Sequence, residues 1–232
     1  MTNNLEPRQL SEDLWSWAAP HPEWTPERGG VGGWEVEVSS WLLQSDRSTI
    51  LIDPLLPSDP ADLQWIEKQC AGRSVHVLVT VYWHLRSAEI AQAHLGATVW
   101  GNAKTREDVE NLVTGLIDDE VPLPGGVIPF TPIPNHGGED ETAFWLPRQR
   151  ALAVGDILIR TPEGVRIWWW EHPDQPKAEY HDRVVPSLER LLDLPIELLL
   201  LPHGGPVVDN ARESLAISLR VPTWQRPPRQ AS

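Results

Sequence analysis

The sequence predicts an α/β fold in which sheets are covered on their outer sides by helices, a layered sandwich. Two observations carry this: hairpin-forming strands come first in the chain, and short apolar strands then alternate with helical segments. A third bounds it, because 232 residues suffice for one large domain or two small ones with a substantial core.

The elements follow in order. Residues 1–33 hold Pro20, Pro22, Pro26, Gly29, Gly30, Gly32 and Gly33 and are expected to form an irregular arm. Trp34 to Val38 alternates with period two and reads as a strand. Ser40 to Gln44 reads as a second strand, turning through Ser45-Asp46-Arg47 into Thr49-Ile50-Leu51-Ile52-Asp53, with Pro54 and Pro57 ending the hairpin. Leu63, Ile66 and Cys70 give Asp62 to Ala71 helical spacing, with Gly72 as its stop. Val75 to Thr80 is a nearly continuous β-branched run, the mark of a strand buried on both faces. A loop holding His84 leads to a helix from Ser87 to Leu95, closed by Gly96, and then to a short strand, Ala97 to Trp100.

Thr105-Arg106-Glu107-Asp108 has the pattern of a capping box opening a helix to about Leu116. Strands are expected around Val127–Phe130, Ala143–Leu146 and Ala151–Val154, the last two joined by the turn Pro147-Arg148-Gln149-Arg150. Val184, Val185, Leu188, Leu191 and Leu192 share one helix face. A strand from Ile196 to Leu201 and a helix near Ala211 to Leu219 complete the domain, taken as residues 34–219. Residues 220–232, rich in Pro and Arg, are expected to be a loose tail.

Composition narrows the function. A net charge of −14 argues against a nucleic-acid backbone as a partner and favours cationic or metal-bearing ones. The single cysteine, Cys70, suits a reducing cytosol. The longest apolar run, Ile196 to Pro202, is too short to span a bilayer, so a soluble cytoplasmic protein with no membrane partner is expected. Thirteen tryptophans stand against two Tyr and two Phe, which suits large rings filling a core. Trp168, Trp169 and Trp170 are consecutive and cannot all face one side, so at least one should be exposed or line a pocket wall.

The chemistry concentrates in the second half. His136 lies in Pro134-Asn135-His136-Gly137-Gly138, Asp156 in Val154-Gly155-Asp156-Ile157, and His203 in Leu201-Pro202-His203-Gly204-Gly205. Each sits on a short turn bounded by Gly or Pro, which delivers imidazole and carboxylate to a sheet rim where zinc could collect them. Glu139, Asp140 and Glu141 read as a solvated charge run. No phosphate-binding Gly-rich loop and no Gly-x-Ser-x-Gly element is present, so serine hydrolase chemistry has no support.

In their order, Thr49–Asp53, Val77–Thr80, Asn135-His136-Gly137, Arg150–Asp156 and Leu200–Pro206 resemble the metallo-β-lactamase superfamily. The resemblance covers about residues 34–219 and implies a four-layer αββα sandwich. In that family a strand-closing Thr precedes a His-x-His-x-Asp-His cluster, and later His, Asp and His positions complete a site for two metals. By resemblance, His136, Asp156 and His203 occupy the later positions, and Asp53 supports the site from behind its ligands. With Thr80 on the family's Thr, the four cluster positions hold Val81, Trp83, Leu85 and Arg86, none of which binds zinc. His84 falls between two of them, and a slip in the loop would bring it to a metal with His136, Asp156 and His203.

Two functions follow from the resemblance. One is a hydrolase of esters, thioesters or phosphoesters with a single divalent metal, zinc before manganese or iron. His84 and Asp156 would then be its catalytic residues, with Trp83, Trp168, Trp169, Trp170 and His172 around the substrate pocket. The other is a metal-free, non-catalytic member that binds a ligand or protein. In either case a small molecule is the expected partner, and a homodimer is allowed.

Overall fold

The computed structural model describes residues 5–26, 34–57, 63–103, 105, 111–135, 140–169 and 180–224. One sheet has seven strands in sequential order: β1 (Arg8–Ser11), β2 (Leu14–Pro20), β3 (Glu37–Gln44), β4 (Ser48–Ile52), β5 (Ser74–Leu78), β6 (Thr98–Gly101) and β7 (Gly115–Leu116). β1 to β4 pair antiparallel, whereas β4 to β7 pair parallel. Parallel neighbours need a crossover. The first contains helix α1 (Gln64–Cys70) and the second α2 (Ala88–Leu95), which Gly96 ends in the left-handed conformation.

The second sheet joins β8 (Ile128–Pro134), β9 (Asp140–Leu146) and β10 (Ala151–Ala153) antiparallel. β11 (Leu158–Thr161) and β12 (Gly164–Ile167) form a separate ribbon. The helical segment around α3 (Val185–Glu189) then leads to β13 (Leu198–Leu200), parallel to β10, and to α4 (Ala211–Ser218).

Period-two alternation sorts the side chains into three cores. Trp41, Leu43, Ile50, Ile52 and Leu78 of the first sheet meet Phe144, Leu146, Ala151, Ala153 and Leu200 of the second. Their neighbours Leu42, Leu51 and Val77 point the other way, against Ile66 of α1 and Ala88 and Ala91 of α2. On the far side, Ala143, Trp145, Leu152 and Leu199 pack against Leu188 of α3 and Ala211 and Leu215 of α4. Three cores separate four layers, helix–sheet–sheet–helix, which is the αββα sandwich. Among the described residues no helix is long and apolar enough to cross a membrane.

Several local expectations are corrected. The arm is not irregular throughout: residues 8–20 hold β1 and β2, because Leu14 and Trp17 are buried in the sheet despite the prolines around them. Trp34–Val38 and Ser40–Gln44 are not two strands, since β3 runs unbroken from Glu37 to Gln44. The helix expected up to Leu116 does not extend that far, as Gly115 and Leu116 pair with Trp100 and Gly101 as β7, and residues 106–110 lie outside the described residues. The C-terminal tail is anchored as far as Trp224, whose N–H and C=O bond to Ile167 and Trp169.

A candidate charge-balanced site at the strand ends

Chain direction brings the polar residues together. Asp53 follows β4, Thr80 follows β5, Asn135 follows β8, Asp156 follows β10 and His203 follows β13. Each therefore lies at or just beyond a strand's C-terminal end, where backbone turns free side chains from the pleat. Ser39 N–H donates to Pro202 C=O at 2.8 Å and joins the two sheets beside His203.

Asp53 is fully buried, at a φ of 45° that an Asp tolerates better than most residues. Its Oδ1 accepts the Thr80 N–H at 2.9 Å and its Oδ2 accepts the Thr80 hydroxyl at 2.6 Å. The same Oδ2 lies 2.9 Å from His84 Nδ1. His84, only 2% exposed, stands in a 3₁₀ turn over Tyr82–Leu85, and its Nε2 is 3.1 Å from Asp156 Oδ1. The imidazole thus bridges two carboxylates. Burial favours its neutral form, but the charges of Asp156 and then Asp53 overcome this and raise its pKa to about 9, against opposition from Arg86.

Asp156 is closed in on both oxygens. Trp83 Nε1–H donates to Oδ2 at 2.8 Å. Oδ1 faces His84 Nε2 and, at 3.3 Å, His203 Nε2, but both are ion-pair contacts without hydrogen-bond geometry. Burial alone would raise this carboxyl; the charge of His84 and the contact with His203 hold it well below the usual carboxylate range. His203 is buried and held low, first by desolvation, while Asp156 works in the opposite direction. Trp34 and Trp168 meet its ring edge-on, with centroids 5.0 and 5.7 Å away.

Three further residues belong to the site. Arg86, at a φ of 40°, donates from Nη1 to the backbone carbonyls of Ser39 and Asp53, each at 3.0 Å. Glu141 is fully buried, which corrects its reading as solvated charge. Its Oε1 accepts Asn135 Nδ2–H at 2.9 Å and Ile157 N–H at 3.0 Å, so one carboxyl ties the turn after β8 to the turn bearing Asp156. Burial pushes it up to about 8, with the Asp156 charge adding to the effect. His21 stacks edge-on against Trp34 at 5.1 Å and is lowered to about 4, by burial first and then by Arg86.

The structure therefore brings His84, Asp156, His203, Asp53 and Trp83 together. Trp168 joins them through His203, whereas Trp169 lies in the outer core against Tyr180. Neither Trp168 nor Trp169 is exposed, and Trp170, His136 and His172 lie outside the described residues.

A sequence model of the metallo-beta-lactamase superfamily matches residues 75–203, more than half of the chain. The chain belongs to this superfamily. Solved structures agree on the fold. The metallo-β-lactamase DIM-1 exposed to ceftazidime gives a TM-score of 0.68 at 16% identity, covering 95% of this chain and 98% of that one. VMB-1 gives 0.67 at 16% identity, over 95% and 99%. A metallo-β-lactamase from Pontibacter korlensis gives 0.64 at 16%, over 94% and 100%. At such identities the likeness is one of fold. No curated protein matches the chain.

Members of this superfamily usually bind divalent metals, so the donor set decides whether an ion fits. Val81 and Leu85, at two of the four cluster positions, are buried apolar side chains. Trp83, at the second position, has its N–H on the carboxylate a metal would need. Arg86, at the fourth, brings a cation. Both ring nitrogens of His84 face carboxylates, which favours the imidazolium, and an imidazolium has no lone pair to give. Among the described residues no group of three His, Cys, Asp or Glu is arranged to hold an ion. Among the described residues, which leave out His136, the donors as they stand do not fit a metal.

Proposed function

We propose that this chain is a metal-independent member of the metallo-β-lactamase superfamily that works as a ligand-binding module, its metal charge replaced by built-in cations. The observation carrying this is the bridge Asp53–His84–Asp156, capped by Trp83. Two carboxylates are offset by the imidazolium of His84 and the guanidinium of Arg86, so the cluster is neutral without an ion. Adding a dication would leave excess positive charge in a buried site, where interactions between charges are poorly screened. Hydrolysis in this superfamily relies on a metal-activated water, and the described residues offer no substitute for it.

A second reading, a mononuclear metal hydrolase, has one observation in its favour. The two imidazole nitrogens stand 3.1 and 3.3 Å from Asp156 Oδ1, out of hydrogen-bond geometry. Ligands around tetrahedral zinc at bonds of about 2.0 Å are spaced by roughly 3.3 Å. This reading requires His84 to lose its proton and His136 to join the set. Titrating zinc into chelator-treated protein separates the two. The metal-independent reading expects no stoichiometric uptake, and the hydrolase reading expects about one ion per chain with loss of the His84 proton.

A further inference from the structure

His203 is covered by rings, and one of them is held in place by the C-terminal end of the described chain. Trp168 meets the His203 imidazole edge-on at 5.7 Å, and Trp224 meets Trp168 in turn at 4.9 Å. His203 and Trp168 are buried, whereas Trp224 is part-exposed. The three rings therefore lead from the site outward to the surface.

Trp224 acts as an added strand of one residue. Its N–H donates to Ile167 C=O at 2.7 Å and its C=O accepts the Trp169 N–H at 3.2 Å, on the edge of β12 away from β11. Trp168, between them, points its own N–H the other way, to Ile157 C=O at 2.9 Å. On β11, Arg160 N–H donates to His203 C=O at 3.1 Å. The Trp168 backbone and the ribbon are thus moored without Trp224, and it is the Trp168 indole that leans on it.

Little holds Trp224 there. The chain reaches it from α4 through Val221, Pro222 and Thr223, which are part-exposed or exposed and make no hydrogen bond among the described residues. Two hydrogen bonds on a sheet edge and one ring contact remain, and such peripheral bonds open at far lower free energy than a core strand. The enclosed state also carries a cost of its own. His203 Nδ1 is sealed from solvent with no hydrogen-bond partner among the described residues, which favours any state that uncovers the imidazole.

We propose that Val221–Trp224 is a releasable strap that closes the site. Docked on β12, Trp224 holds the Trp168 indole against His203; undocked, it frees that indole to turn away and opens the imidazole to solvent and ligand. This gives the binding module its regulation and rests on the metal-independent reading.

Two measurements on the chelator-treated full chain test this: amide hydrogen exchange read residue by residue, and modification of histidines by diethyl pyrocarbonate at pH 7, mapped by mass spectrometry. In wild type the Trp169 and Trp224 amides, bonded across the strap, should exchange at least about tenfold faster than the Trp168 amide, bonded to Ile157. Trp224→Ala should raise the modification rate of His203 at least about fivefold, while part-exposed His76 on β5 reacts as in wild type. Trp224→Phe keeps a ring on Trp168 and should restore most of the protection. The proposal is overturned if Trp169 and Trp224 are as protected as Trp168, or if His203 of Trp224→Ala reacts at the wild-type rate. Reaction of the enclosed His84 would reveal a variant that has not folded, and the wild-type exchange comparison then decides alone. Zinc titration of the same protein separates the two claims. Metal-free protein with unchanged His203 reactivity sinks only the strap, whereas stoichiometric zinc uptake sinks the binding module and the strap's role in it.

Discussion

Replacing His84 by Gln removes the cation between Asp53 and Asp156, and its consequences can be worked from the structure. The imidazole has an ordinary pKa of 6.5 in the unfolded chain and about 9 in the fold. Between those values the folded state holds one proton that the unfolded state has shed. Stability must therefore fall as pH rises, by about 1.4 kcal/mol per pH unit at full slope and about 3 kcal/mol in all. The contribution is fully present below pH 6.5 and lost as pH passes through 9. Glu141 acts in the same direction, but over a lower window, from 4.5 to about 8. The interval from pH 8 to 9 consequently belongs mainly to His84. Urea unfolding followed by tryptophan fluorescence, in chelator, should show wild type losing roughly 1 kcal/mol across that interval. His84→Gln should show much less, and at pH 7 should already be about 3–5 kcal/mol less stable because two buried carboxylates lose their partner. Wild-type stability that is flat from pH 7 to 9, or an equal slope in the variant, would refute the reasoning.

Other expectations follow from the same contacts. Trp83→Phe keeps the ring and removes the N–H on Asp156 Oδ2, which should cost about 1.5–3 kcal/mol in urea unfolding. Glu141→Gln should be nearly neutral at pH 6 and should flatten the stability loss between pH 6 and 8. Glu141→Ala, which removes the acceptor shared by Ile157 N–H and the Asn135 amide, should cost about 1–3 kcal/mol at either pH. Gly155→Ala places a methyl 2.4 Å from Glu141 Oε2 and 3.0 Å from Thr80 Oγ1, and thermal melts should show about 1–3 kcal/mol of overpacking.

Where the sequence was legible, the reason is periodicity. Ile50, Leu51 and Ile52, or Ala151, Leu152 and Ala153, alternate between two cores, and their short runs bounded by turn residues admit only strands. β1 and β2 were missed because surrounding Pro and Gly outweighed a brief run, Leu14 to Pro20, whose rings pack against β3 and α1. The ribbon of β11 and β12 was missed as well, although Thr161-Pro162-Glu163-Gly164 is a turn signature between two β-branched stretches.

The site shows the same division. His84, Asp156 and His203 were legible as candidates by their order along the chain, and the fold brings His84 Nε2 to 3.1 Å and His203 Nε2 to 3.3 Å from Asp156 Oδ1. What sequence did not reveal is their electrostatic state, because that depends on the second carboxylate, Asp53, arriving from a different strand. Glu141 was hidden by its acidic neighbours, yet it shares a strand face with Ala143 and Trp145, and that alternation was the available signal for burial. His21 and Trp34 gave no signal, since only β3 pairing with the turn at Pro202 carries that segment to His203.

The most direct test of the central claim is the metal content of wild type and Asp156→Ala, purified without chelator or an affinity tag that binds metal. The metal-independent account predicts far less than one zinc, manganese or iron per chain in both. About one ion per wild-type chain, lost in Asp156→Ala, would contradict it and restore the mononuclear hydrolase.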